Sequence, residues 1–187
     1  MISLIVYGRN ASYGYNLHKR AALSLNNFGE LLTEPSDEIL FVDYNTPNEY
    51  PTFPEAIFDT LTPRAKKLLR VIRVSERDHA SLGIKTHLKT LEPIARNVAL
   101  RRSNPSNRWI LSTNTDMIFV PRNGTSISEI VSGLGEGHYG LPRFELPEGL
   151  WEGFPRQNPR KVISQLAQDG WGFHLNQVAR SWSPHLF

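Results

Sequence analysis

At 187 residues the chain is long for one ordinary domain and short for two. Its 40% hydrophobic and 21% charged residues and formal net charge of +3 exclude a disordered chain. It has no cysteine, hence no disulfide or thiolate chemistry, no apolar run near the roughly 18 residues of a membrane span, and no signal-peptide pattern in residues 1–6.

Residues 2–7 are a β-branched apolar run that reads as a buried strand entering Gly8-Arg9-Asn10. Leu17, Ala21, Leu25, Phe28 and Leu32 then recur at helical spacing, with Gly29 weakening the final turns. A second buried strand spans 38–43 and stops at Tyr44-Asn45-Thr46-Pro47. Three prolines within 46–54 mark an extended loop ahead of a short helix near 55–61. Residues 68–74 read as a third strand. Leu88, Leu91, Ala95 and Val98 share one helical face, and Pro93 sets the start of that helix at 90–92. A fourth strand begins at 108–112, runs into Thr113-Asn114-Thr115-Asp116 and resumes over 117–120. Residues 126–134 predict a helix capped by Ser126 and closed by Gly135. After about residue 136 glycine, proline and tryptophan become frequent, and only 159–168 keeps a helical pattern.

This alternation predicts right-handed βαβ units, hence a single α/β domain with a mainly parallel sheet, helices on both faces and an irregular C-terminal third. Ligands of such sheets bind beyond the carboxyl ends of the strands, which puts Arg9, Asn10, Asp43, Asn114 and Asp116 along one rim. Twelve basic residues against three acids over 64–108 suit a phosphate-bearing partner. That charge is shared between a strand and a helix without interleaved aromatics, so a nucleic-acid partner is not expected. No Walker loop, G-x-G-x-x-G, H-E-x-x-H or G-x-S-x-G occurs, which removes the usual signatures of nucleotide hydrolysis, dinucleotide redox, zinc proteolysis and α/β-hydrolase chemistry.

Three segments resemble a known family. Gly8-Arg9-Asn10, Asn97-Val98-Ala99-Leu100-Arg101-Arg102 and Thr113-Asn114-Thr115-Asp116 are similar, in order and spacing, to motifs of a bacterial subgroup of family-2-like sugar-nucleotide glycosyltransferases with the GT-A fold. The strand 38–43 ending in Asp43 resembles that family's second strand, and the likeness covers about residues 1–120. It implies a GT-A-like domain with a nucleotide-sugar-binding half over 1–120 and an acceptor-side half over 121–187. The implied activity is transfer of a sugar from a nucleoside-diphosphate donor to the hydroxyl of a saccharide or lipid-linked acceptor. The implied location is cytoplasmic, or peripheral at the inner membrane.

The same resemblance assigns roles. Asp43 would bind the ribose or base, and Arg9, Asn10, Arg96, Asn97 and Asn114 would contact the donor. Asp116 would hold a Mn²⁺ or Mg²⁺ ion that neutralises the leaving diphosphate, with His174 as a further ligand. Here the sequence departs from the family, because Asn114 supplies an amide where a second acid is usual. An inverting transferase also needs a base for the acceptor hydroxyl. The family's Glu-Asp pair is missing, which leaves Glu145, Glu148, Glu152 and Asp169 as candidates. Trp151, Trp171 and Trp182 could stack on a sugar, and His79 and Lys85 precede the basic helix in a loop that could cover the donor. A non-catalytic nucleotide-sugar-binding module of the same fold is the alternative reading. The chain stops at Phe187 without a finishing element, so a truncated acceptor half stays open.

Overall fold

A computed structural model describes residues 1–11, 14–83, 86–122 and 125–171, and the backbone of 176–179. The elements in chain order are β1 (Ile2–Gly8), α1 (Leu17–Leu31), β2 (Glu38–Tyr44), α2 (Phe53–Ala56), a 3-10 turn (Phe58–Thr60), α3 (Pro63–Leu68), β3 (Leu69–Val74), α4 (Glu76–Ser81) and α5 (Glu92–Leu100). They continue with β4 (Trp109–Ser112), α6 (Ile127–Ser132), β5 (His138–Gly140), α7 (Glu148–Trp151), α8 (Pro159–Gln168) and β6 (Asn176–Ala179).

Strands β1 to β4 form an all-parallel sheet in the order β3-β2-β1-β4, a Rossmann-like α/β arrangement. The register pairs Ser3 with Glu38 through Gly8 with Asp43 on one side of β1, and Ile2 with Trp109 through Ile5 with Ser112 on the other. Because the chain order reverses between β1 and β4, their carboxyl ends border a crevice. Alternation along the strands sends side chains to two covered faces. Leu4 and Val6 of β1 and Ile39 and Phe41 of β2 pack with Ala21, Leu25 and Phe28 of α1 and with Ile127 and Val131 of α6. Ile5, Leu40, Val42 and Tyr44 meet Ala95 and Ala99 of α5 on the opposite face. All seven residues of β2 are buried, as a central parallel strand requires. A third cluster joins Leu23 of α1 to Val120, Phe154, Val162 and Leu166.

The periodic segments come out close to expectation, and α8 matches it to the residue. Gly29 has a purpose the sequence pattern does not show. A Cβ there would lie 2.8 Å from Ala65 Cα and 2.9 Å from Ala65 N, so the glycine lets α1 touch the backbone of α3. The expected strand over 117–120 is not formed. Its backbone pairs instead with a side chain: Asn27 Nδ2 donates to Phe119 O at 2.9 Å, and Phe119 N donates to Asn27 Oδ1 at 2.7 Å. The helix near 55–61 splits into α2 and the 3-10 turn. The helix over 126–134 begins at Ser126 as expected but ends at Ser132, with Gly133 rather than Gly135 as its C-cap. Two helices were hidden by poor periodicity. α3 starts at Thr62-Pro63, with the Thr62 hydroxyl accepting from Ala65 N, and α4 is opened by a reciprocal Ser75–Asp78 capping box. The C-terminal third also holds more structure than expected, in the antiparallel β5–β6 pair and α7. No helix among the described residues is long and apolar enough to cross a membrane.

Candidate functional site

The chain leaving β4 is held across the end of β1. Thr113 N donates to Ile5 O at 3.1 Å, the Thr115 hydroxyl donates to Tyr7 O, and the Asn27–Phe119 pair fixes the exit. Asn114 and Asp116 project from this pinned segment into a cleft of about 820 Å³. Arg20 of α1 and Arg96 of α5 line the same cleft, as do Arg143, Phe144, Glu145, Trp151 and Trp171 of the C-terminal third.

Arg96 organises this rim. Its Nη1 donates to the Ser112 hydroxyl and, at 3.2 Å, to Thr113 O, while Nη2 donates to Asn114 Oδ1 at 3.0 Å. One helical turn back, Glu92 Oε1 accepts from Arg96 Nε at 2.7 Å, and the guanidinium lies over the Tyr7 ring. The Arg96 hydrogen bond holds the Glu92 carboxyl below its ordinary range. Burial and a hydrogen bond to Glu92 push the Tyr7 phenol up to about 12. Arg20 faces the other acid: its Nη1 lies 3.0 Å from Asp116 Oδ2. Arg20 Nε is buried and finds no acceptor among the described residues.

The other half of the rim does a different job. Arg9 Nε donates to Asn45 O at 2.6 Å. Asn10 N donates to the Thr46 hydroxyl, its Nδ2 donates to Pro51 O at 3.0 Å, and its Oδ1 lies 3.0 Å from His18 Nε2. Asp43 is fully buried, and its Oδ1 accepts from the Thr46 hydroxyl at 2.7 Å and from Phe53 N at 2.8 Å. Its Oδ2 has no hydrogen bond and stands 4.0 Å from Arg73 Nε. Burial pushes the Asp43 carboxyl up in spite of those donors. These residues knit the loop after β1 to the loop after β2, and none of them lines the cleft.

The remaining candidates disperse. Asn97 is exposed on α5, and Glu148 and Asp169 are exposed at helix ends, all outside the cleft lining. Glu152 accepts from the Tyr15 hydroxyl at 2.8 Å and from Asn16 Nδ2 at 3.3 Å, which raises the Tyr15 phenol. His79 lies on α4 with Nδ1 3.0 Å from the Tyr44 hydroxyl, away from the cleft. Lys85, His174 and Trp182 fall outside the described residues. Arg20 is the site residue that motif reading passed over. It sits in a first helical turn with no acid, where the helix dipole opposes a cation, and that misfit was the available signal.

The divalent ion implied by the family likeness fits this donor set poorly. Asp116 already faces Arg20, and the Asn114 carbonyl accepts from Arg96. Among the described residues no group of three His, Asp or Glu could hold a metal. No protein-family model matches the chain, and no curated protein matches it.

Proposed function

We propose that the chain is a GT-A-type glycosyltransferase that takes a nucleoside-diphosphate sugar and passes the sugar to the hydroxyl of a saccharide or lipid-linked acceptor. The observation that carries this reading is the convergence of Arg20, Arg96, Asn114 and Asp116 on one cleft at the β1/β4 crevice. A cleft of about 820 Å³ is of the size small-ligand sites use. Guanidinium forks match phosphate oxygens, and Trp151 and Trp171 offer faces for a sugar ring. Of the four acids considered as base, only Glu145 lines the cleft. In the transfer, the acceptor oxygen attacks the anomeric carbon while Glu145 takes its proton. The bond to the diphosphate breaks with its electron pair, and the arginines meet the charge that develops.

Calorimetric titration with UDP, GDP and dTDP sugars tests donor binding, and release of nucleoside diphosphate with a panel of acceptors tests transfer. Glu145→Gln is expected to slow transfer by about 10²–10⁴-fold with donor affinity kept. Failure to bind any nucleoside diphosphate would overturn the reading. Binding without release on any acceptor would identify a nucleotide-sugar-binding module instead.

A further inference from the structure

We propose that the cleft receives the diphosphate on Arg20, beside the positive charge of Arg96, with Asp116 serving as the counter-ion of Arg20 until the anion arrives, so that binding needs no divalent cation. This rests on the reading of the cleft as a diphosphate site. In the DxD arrangement two acids face a metal; here each of the two corresponding side chains faces an arginine. Asp116 Oδ2 lies 3.0 Å from Arg20 Nη1, and a metal on that oxygen would have to share it with a like charge. Asn114 Oδ1 is engaged by Arg96 Nη2 at 3.0 Å, so the neutral oxygen standing where the second acid is usual is occupied as well.

The arginines are equipped for the task. Arg20 and Asp116 keep 31% and 28% of their side-chain surface exposed, so a phosphate can reach the pair and displace the carboxylate. The buried Arg20 Nε has no acceptor among the described residues, and Arg20 stands in the first turn of the fifteen-residue α1, where the helix dipole opposes a cation and favours an anion. Arg96 already donates to Glu92, to the Ser112 hydroxyl, to Thr113 O and to Asn114 Oδ1, so it brings a fixed positive charge to the cleft rather than a free donor. With Arg143, three arginines oppose two carboxylates, Asp116 and Glu145, along the lining. The exchange is non-covalent: the diphosphate oxygens take the place of the Asp116 carboxylate before Arg20.

A metal site and an arginine site predict opposite signs for one substitution. UDP is titrated calorimetrically in EDTA and again with Mn²⁺, with inorganic pyrophosphate in EDTA as a second probe. UDP should bind in EDTA. Asp116→Asn should bind it about two- to fivefold tighter, the worth of a part-exposed ion pair no longer broken. Arg20→Ala should bind about 10–100-fold more weakly, as expected for a lost hydrogen bond to a charged group. Arg20→Lys, which keeps the charge, should recover part of that loss and show that the fold is intact. UDP binding that requires Mn²⁺ and disappears in Asp116→Asn would overturn the inference and leave the transferase reading standing. Pyrophosphate binding that depends on Arg20, without affinity for any nucleotide, would support the anion site and overturn the transferase reading. Absence of binding by either probe would overturn both.

Discussion

Replacing Asp43 by alanine separates two roles for the same carboxylate, nucleoside contact and loop anchor. The side chain is fully buried, and its Oδ1 accepts from Phe53 N at 2.8 Å and from the Thr46 hydroxyl at 2.7 Å. Alanine strands both donors, and each buried group left without a partner costs about 1–3 kcal/mol. Part of this is offset because the substitution also removes a carboxylate that burial disfavours. The expected loss is about 2–4 kcal/mol in urea unfolding at pH 7. Asparagine keeps an accepting oxygen and drops the charge, so it should fall within about 1 kcal/mol of the parent. The pH dependence gives a second check. Burial raises the folded-state pKa of Asp43 above its unfolded value, so the native state holds that proton more tightly. This group therefore weakens stability as pH rises from the unfolded pKa through the raised one, and Asp43→Asn should remove that decline. An alanine variant that unfolds at the parent's urea midpoint but loses nucleotide affinity tenfold or more would refute the anchor role and restore the ribose contact.

Gly29→Ala should lower stability by about 1–2 kcal/mol in thermal or urea melts, because the about 1 kcal/mol gained in helix propensity is outweighed by collision with Ala65 backbone that cannot give way; a raised Tm would contradict the close contact of α1 and α3. Glu92→Gln should flatten stability at low pH. The Arg96 hydrogen bond lowers the folded-state pKa of Glu92, so its contribution is present above the unfolded value and is lost as pH falls through the lowered one. Urea midpoints measured from pH 7 to 3 should show the parent losing this increment, at most about 1 kcal/mol for a half-exposed partner, and the variant not.

Strands β1, β2 and β3 and helices α1, α5 and α8 were legible because each is long enough for its apolar period to be counted. So was the common rim of the strand ends, since parallel topology brings the carboxyl ends of the strands together. Short elements escaped: α3 and α4 have six residues each and identify themselves only through Thr62-Pro63 and the Ser75–Asp78 box. The segment 117–120 reads as a strand because its apolar residues are buried, yet its backbone is paired to an asparagine side chain, which no periodicity encodes. Motif reading placed Arg96, Asn114 and Asp116 on the cleft together. It also grouped Arg9, Asn10 and Asp43 with them, because strand-end position alone does not distinguish a ligand contact from a loop staple. Arg20 stood outside every motif, its one sequence signal being a cation in a first helical turn without an acid, and the ion pair it forms identifies it.

Arg20 and Asn27 are seven residues apart on α1, two helical turns, and so lie on one side of it. One grips Asp116 and the other grips Phe119, so a single rod carries both the cation and the stretch of chain bearing its counter-ion. A tilt of α1 therefore transports the pair as one body, and the mouth of the cleft inherits the seating of the helix in the core. Gly29, nine residues and about 14 Å along the same axis from Arg20, thereby helps set the position of Arg20 at the cleft without lining it. Drift in sequence would be absorbed most easily on the exposed faces of α4 and α7. The contact between α1 and α3 would tolerate it least, because a change there alters the shape of the cleft as well as the stability of the fold.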